Sequence, residues 1–320
     1  MDLRRNPTGA EAGPPKEALA PVAGYLAVLL ATGCWASSGV FINFIMTGSE
    51  VSALALAFWR DLFTFGLLAV GLALWRPAWL RVDRRDLKWL AGLGGIGLGT
   101  FHVLWNLNVM LNGVAVATVQ QAAMPVTVAA AAWLLWREPF TWHKVVAIIL
   151  TFAGAVLVSG PEALGEMRLT GPALLVGMAT PVTYAAYSLF GKPLAARYSP
   201  LTILTYGFGF AVLLLLPFQF FTQQPWPVPR QSWLWFAALL ALGTIIPFTS
   251  YTFALSRLPA SVAGILAMTE IPFAAVYAYL LLGERFTSTH FFGAILVVLG
   301  VLLLSWGRWH GGGRGAGTSA

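Results

Sequence analysis

The sequence predicts an all-α integral membrane protein: ten transmembrane helices arranged as two inverted five-helix repeats, with both termini in the cytoplasm. Three observations predict it. Of the 320 residues, 58% are hydrophobic and only 10% are charged, where a soluble domain of this size carries about a quarter charged residues. The apolar residues fall into ten segments, most of them near the roughly 20 residues that cross about 30 Å of hydrocarbon. The charges collect between those segments with a strong sign bias. A transmembrane barrel would alternate apolar and polar residues over strands of about ten residues, and that pattern is absent.

Residues 1–21 are polar and rich in Pro, Gly and Ala, and read as a disordered cytoplasmic tail. The first apolar segment, 22–45, is too long for the core of a cleaved leader, so it reads as a spanning helix. It holds the lone cysteine, Cys34, and Trp35 near mid-depth. One cysteine excludes an intrachain disulfide and a cysteine metal cluster. The second segment, 51–74, carries Arg60 and Asp61 about ten residues in. Ionisable groups at that depth are costly and belong against protein or water. They either contact substrate or a proton, or form a structural ion pair in which Asp61 or Glu270 neutralises Arg60.

The third segment, 87–109, begins with Gly92, Gly94, Gly95, Gly97 and Gly99, which allow close backbone approach. No Lys-Ser/Thr follows and no strand precedes, so this is not a phosphate loop. His102 and Asn106 lie one turn apart on one face of it, available to a substrate or to interhelical hydrogen bonds. The fourth segment, 114–136, places Gln120 and Gln121 in its outer half, about 100° apart, so at most one faces a cavity squarely. The fifth is 142–159, and 160–169 is read as an external linker.

In the sixth segment, 170–190, Thr180, Tyr184 and Tyr187 form one stripe, with Pro181 able to kink the helix. These tyrosines are too deep for an interfacial belt. Their rings suit either an aromatic core or stacking on an aromatic substrate. Trp75, Trp79, Trp89, Trp136 and Trp142 sit at segment ends and read as belt residues. The remaining segments are 200–221, 231–254, 260–282 and 288–306, with Glu270 near mid-depth in the ninth. Residues 307–320 read as a flexible cytoplasmic tail.

The net charge of +7 is explained by orientation rather than by nucleic acid. With both ends inside, 15 of the 19 Lys and Arg lie in cytoplasmic segments and three, Arg168, Arg230 and Arg285, lie outside. That asymmetry fixes the orientation, and an even number of spans follows.

The chain also resembles itself. Glu138-Pro139-Phe140-Thr141 and Glu284-Arg285-Phe286-Thr287 precede the fifth and tenth segments, at an offset of 146 that also pairs Gly154 with Gly300 and Ser159 with Ser305. Met124-Pro125 matches Ile271-Pro272, and Leu-Gly-Thr recurs at 98–100 and 242–244. Five spans per half invert the second repeat, 170–306, relative to the first, 22–159. Inverted repeats suit alternating access around a site near the midplane. The second half places Phe210 and Ala211 opposite Arg60 and Asp61, and the first places Ala123 opposite Glu270, so the charges break the repeat.

Two such halves, each with a Pro in its fourth helix and an acidic Glu-x-Phe-Thr turn before its fifth, resemble EamA-type members of the drug/metabolite transporter superfamily over about 22–306. Phe58-Trp59-Arg60-Asp61, the Asn106 to Asn112 region and Gln120-Gln121 resemble its bacterial aromatic amino-acid exporters. The resemblance implies export of aromatic amino acids, and of viologen-like cations, across a bacterial inner membrane. The residues themselves point to a secondary transporter of a small solute in the bilayer. Trp35, His102, Asn106, Gln120, Tyr184, Tyr187 and Glu270 are candidates for substrate contact, and Arg60, Asp61 and Glu270 for ion coupling or ion pairing. No ATP-binding domain, cofactor, metal-ligand spacing, nucleotide or nucleic-acid partner is expected. An intramembrane enzyme would need a His or acidic cluster at one membrane face, which the charged loops lack; a channel or receptor has no need of the repeat.

A cysteine placed at Gly311 in a Cys34→Ala background is expected to react in intact cells with membrane-permeant maleimides and not with impermeant ones. Labelling by the impermeant reagent would overturn the orientation.

Overall fold

A computed structural model describes residues 16–47, 51–160, 165, 170–221, 230–283, 285 and 287–311. Among them are ten membrane helices and no strand. They are α1 (Lys16–Thr47), α2 (Ala53–Trp75), α3 (Leu87–Ala91, Gly92–Thr100 and Phe101–Asn112), α4 (Val114–Gln121 and Met124–Trp136), α5 (Trp142–Ser159), α6 (Gly171–Ala195), α7 (Pro200–Gln219), α8 (Trp233–Leu240, Ala241–Ile245 and Ile246–Arg257), α9 (Ala260–Ala267 and Glu270–Leu282) and α10 (Ser288–Gly311). Nine are long and apolar enough to cross a bilayer, and the tenth carries a shorter apolar stretch, Ser288–Leu304. α1 begins at Lys16, within the expected tail, and its membrane span runs Pro21–Met46. Most of both terminal tails and of the 160–169 linker lie outside the described residues.

The halves share local devices. Ser52 accepts from the Ala55 amide at 3.1 Å to cap α2, and Ser199 accepts from the Thr202 amide at 3.2 Å to cap α7. This offset of 147 sets Gly207 and Phe208 opposite Arg60 and Asp61, correcting the register that pairs them with Phe210 and Ala211; both registers are uncharged. α3 and α8 each widen into a π-helical segment, Gly92–Thr100 and Ala241–Ile245, ending at or beside the repeated Leu-Gly-Thr. The Thr100 hydroxyl donates to the Gly95 carbonyl at 2.8 Å, and the Thr244 hydroxyl to the Leu239 carbonyl at 2.9 Å. Each thus bonds the carbonyl five residues back, across the wide turn. α4 and α9 each break just before the repeated proline pair, at 122–123 directly before Met124-Pro125 and at 268–269 with Glu270 between the break and Ile271-Pro272. Proline lacks the N–H that would continue the helix. In the second break Thr269 meets Thr32 of α1, oxygen to oxygen at 2.8 Å.

The two-fold relation is sharpest between α5 and α10. A Cβ on Gly154 would meet the Gly293 carbonyl at 2.6 Å and the Val297 side chain at 2.7 Å. A Cβ on Gly300 would meet the Ala147 carbonyl at 2.9 Å and the Thr151 side chain at 3.0 Å. Ala147, Thr151 and Gly154 are each 146 residues before Gly293, Val297 and Gly300, so one contact is the symmetry image of the other. Small residues here let the backbones touch, which is how helices associate where lipid supplies no hydrophobic drive.

Trp75, Trp79 and Trp142 are exposed at helix ends, while Trp89 and Trp136 are half-buried. Gly154→Ala and Gly293→Ala are each expected to cost about 1–3 kcal/mol, the usual range for overpacking. Gly66→Ala, with nothing within 4 Å of its Cβ, should leave stability unchanged or raised. Thermal unfolding of the purified protein in detergent checks all three.

Candidate functional site: an aromatic cavity and a separate charged triad

α1, α3, α6 and α8 surround a small, nearly closed cavity. It is lined by Trp35, Gly97, Leu98, Phe101, Tyr184, Tyr187, Ser188, Phe248 and Tyr251. Glycine lets α3 reach α6 here: a Cβ on Gly97 would meet the Tyr187 backbone nitrogen at 2.7 Å. The rings already touch. Tyr184 stacks on Phe101 at 4.8 Å, and Trp35 meets Phe248 edge-on at 5.0 Å and Tyr251 at 5.3 Å. A solute of amino-acid size therefore needs the rings to part.

Two of the three tyrosine hydroxyls in this wall have hydrogen-bond partners, as buried hydroxyls require. Tyr187 bonds Thr252 at 2.6 Å and Tyr251 bonds Ser188 at 2.8 Å. The Tyr184 hydroxyl neighbours the carboxyl of Glu270 on α9. Glu270 is the first residue after the α9 break, in the first turn of the following helix, where the dipole favours a carboxylate.

The sequence candidates therefore separate. Trp35, Tyr184 and Tyr187 line the cavity, and Glu270 joins it through Tyr184. His102, next to Phe101 but turned about 100° away, does not. Its Nδ1 lies 3.0 Å from Asp61 Oδ2, and its Nε2 lies 2.5 Å from Arg60 Nη2. Arg60 Nε is 3.5 Å from Asp61 Oδ1. Of the two acids offered as partners for Arg60, Asp61 holds that place; Glu270 meets Tyr184. Gln120 does not line the cavity either: its amide presses on α6 at Gly177, where a Cβ would meet Nε2 at 2.4 Å, and its Oε1 is buried without a partner. Asn106 is half-buried on α3, outside the cavity lining.

Sequence reasoning missed Phe101, Ser188, Phe248 and Tyr251. The available signal was the repeated Leu-Gly-Thr: Phe101 and Phe248 each follow it within about one turn. It also missed Asn108 and Asn112, buried one turn apart and joined at 2.7 Å, with Asn112 also donating to the Ala173 carbonyl at 3.2 Å.

At the end assigned to the cytoplasm, polar contacts close the halves together. Arg197 donates to both Asp86 oxygens, at 2.6 and 2.8 Å, and Tyr198 donates to Asp86 at 2.6 Å. That bond to a carboxylate holds the Tyr198 proton above the ordinary phenol range. Glu138 accepts from the Ala260 amide at 3.1 Å and from the Ser261 hydroxyl, capping α9 from the other half. Lys192 donates to the Leu255 and Leu258 carbonyls, both at 2.6 Å. No group of three or more His, Cys, Asp or Glu able to hold a metal occurs among the described residues.

The EamA-like transporter family matches this chain twice, over residues 22–160 and 171–306. The chain belongs to that family. Among EamA-like relatives it is 28% identical to the Salmonella typhimurium inner membrane transporter YicL, over 88% of this chain and 95% of that one. It is 28% identical to a probable terminal-alkyne amino-acid exporter of Streptantibioticus cattleyicolor, over 87% and 92%. It is 26% identical to the threonine/homoserine exporter RhtA of Salmonella typhimurium, over 73% and 74%. A solved crystal structure, 19% identical, superposes with a TM-score of 0.74 over 90% of this chain and 97% of that one, which places the fold. The protein is thus a multi-pass membrane transporter by family.

Tyr184→Phe removes the hydroxyl that neighbours Glu270. It is expected to cost about 1–3 kcal/mol, the penalty for orphaning a buried polar group. Glu270→Gln in the same chain should recover part of that loss. The double-mutant cycle, read by thermal unfolding, checks the pair.

Proposed function

We propose that this chain exports small amphipathic metabolites, foremost amino acids with aromatic or other apolar side chains, across a bacterial inner membrane by alternating access. The observation that carries the reading is an apolar wall of aromatic rings with one carboxylate, Glu270, at its edge. Rings of this kind accept an aromatic or aliphatic side chain, and a carboxylate accepts an ammonium. Relatives described as amino-acid exporters and as an inner membrane transporter support the substrate class and the location, and the sequence likeness to the aromatic amino-acid exporter YddG supports the aromatic preference. The two repeats, 22–159 and 170–306, move against each other, joined by the external linker at 160–169. Rings plus a carboxylate also suit quaternary cations, so viologen-like compounds are a second substrate class for the same cavity.

Counterflow of radiolabelled substrate in proteoliposomes tests this. Phe, Tyr, Trp, Thr, methyl viologen and a sugar phosphate are compared as competitors. Phe, Tyr and Trp are expected to compete best and the sugar phosphate not at all. Tyr251→Ala and Trp35→Ala should each raise the KM for Phe about tenfold, the factor for roughly 1.4 kcal/mol of lost contact. Carriage of the sugar phosphate alone would overturn the reading.

A further inference from the structure

The triad of Arg60, Asp61 and His102 lies outside the aromatic cavity, yet it places three ionisable side chains inside the membrane. Asp61 is fully buried, and Arg60 and His102 expose 13% and 8% of their side chains. The fold does not need them. At the corresponding positions of α7 and α8 the second half has Gly207 and Phe208, or Phe210 and Ala211, and Ile246. The other half thus packs the same helices with no charge. Replacing a buried ionic cluster by apolar residues is often neutral or stabilising, so the cost of keeping this one calls for another reason.

The hydrogen bonds assign the state of each group. Arg60 Nη2 lies 2.5 Å from His102 Nε2 and 3.4 Å from Nδ1; Arg has only donors and Nδ1 faces the Asp61 carboxylate, so Nε2 is the ring atom placed to accept from Arg60. The ring proton then sits on Nδ1 and is donated to Asp61 Oδ2. His102 is neutral in this arrangement, and its one free lone pair is taken by Arg60. Two further atoms are unused: Arg60 Nε and Asp61 Oδ1 are both buried without a hydrogen bond and face each other at 3.5 Å. A short movement of the guanidinium toward Asp61 would close that gap and release His102 Nε2. A proton arriving at Nε2 and the Arg60 contact exclude each other. The triad therefore has two complete arrangements, one without and one with an added proton. In the second, Arg60 pairs with Asp61 Oδ1 while the imidazolium keeps its Nδ1–H bond to Oδ2.

We propose that Arg60, Asp61 and His102 form a proton-binding site that couples export to the entry of a proton. The proposal rests on the exporter reading for what is coupled, not for the site itself. Per cycle, one proton from outside adds to Nε2 and one leaves to the cytoplasm from the same atom, with no other bond made or broken. Glu270 on α9, beside Tyr184 at the cavity, is a second buried ionisable group in the spans and lies outside the triad. Around the triad itself the packed helices add few ionisable side chains. The part of α7 packed on α2 contributes none, Tyr206 near its start being engaged with the Leu80 carbonyl at 2.6 Å, and the first part of α8, Trp233–Leu240, has none. Across α3, α6 presents Tyr184, which neighbours Glu270, and Tyr187, which is paired with Thr252. His102 directly follows Phe101, which stacks on Tyr184 in the cavity wall, and both directly follow the wide Gly92–Thr100 segment. A shift of Arg60 against His102 is therefore transmitted to the cavity by the adjoining residue.

His102→Gln tests the site. Gln reproduces both hydrogen bonds, accepting from Arg60 and donating to Asp61, but binds no proton. Wild-type proteoliposomes are expected to accumulate Phe against its gradient when a pH gradient is imposed. His102→Gln should reduce that accumulation by about tenfold or more, within the usual range of coupling factors, while counterflow persists. The neutral pair Arg60→Gln/Asp61→Asn should do the same. Wild-type counterflow without a response to the pH gradient would overturn the proposal. So would gradient-driven flux preserved in His102→Gln, or both variants failing to fold or losing counterflow, since the triad would then be structural or part of the substrate path. Absence of counterflow in the wild type would instead defeat the exporter reading. The triad is then judged by 15N spectra of histidine-labelled protein in nanodiscs, assigned with His102→Gln. A neutral ring protonated on Nδ1 that reversibly gains a second proton on acidification supports the site; a ring that stays neutral until unfolding overturns it.

Discussion

Every peptide group in hydrocarbon must find its partner within the protein, and the rest of this structure follows from that requirement. Helices satisfy it by default, so irregular backbone is tolerated only where protein covers it. The four irregular places in the spans come as two symmetry-related pairs: the wide segments of α3 and α8, and the breaks of α4 and α9. In both wide segments a threonine hydroxyl bonds the carbonyl five residues back, and the α9 break is backed by the Thr32–Thr269 pair. The aromatic cavity and Glu270 lie against these departures from regular helix because there the backbone can bend without stranding a polar group.

The two kinds of polar group inside the membrane are handled differently. The hydroxyls of Tyr187 and Tyr251 are each paired at the cavity wall and add polarity to an apolar surface without adding charge. The charges of Arg60 and Asp61 are removed to the other side of α3 and held against His102. That division separates what touches an apolar solute from what carries net charge, and it is set by a single step along the helix, from Phe101 to His102. Between the halves, α5 and α10 form a seam of glycine against backbone, one of several helix pairs that join them.

The fold was legible in the sequence because its signals are long and redundant. Ten apolar segments, the Lys and Arg asymmetry and the ordered repeats each point to one architecture, and the helices fall where the segments do. The offset of 146 even marked the seam, since Gly154 and Gly300 are both contact residues. The site was legible only in part. Trp35, Tyr184 and Tyr187 stand out because aromatic side chains at mid-depth are unusual. Phe248 and Tyr251 do not, since a phenylalanine or tyrosine in an apolar run looks like any lipid-facing one until α8 is packed on α1 and α6. The partner of Arg60 could not be read either, because depth alone does not tell Asp61 from Glu270; the rotation of α3, which brings His102 to α2, decides it. The wide segments left no periodic trace, being a change of one residue per turn within a glycine-rich run.

Those wide segments have a mechanical meaning. A π turn holds about one residue more than an α turn. Letting one relax to α geometry would turn the chain beyond it by about 100° and advance it by about 1.5 Å, one residue's step on a helix. Each of the two helices therefore stores a single residue of slack beside the cavity, in a wall that is otherwise close-packed. The two stores sit at corresponding places in the two halves, so slack taken up in one has its counterpart in the other. The two helices thus carry two small reserves of length, like the play left in paired hinges so that a door can swing either way.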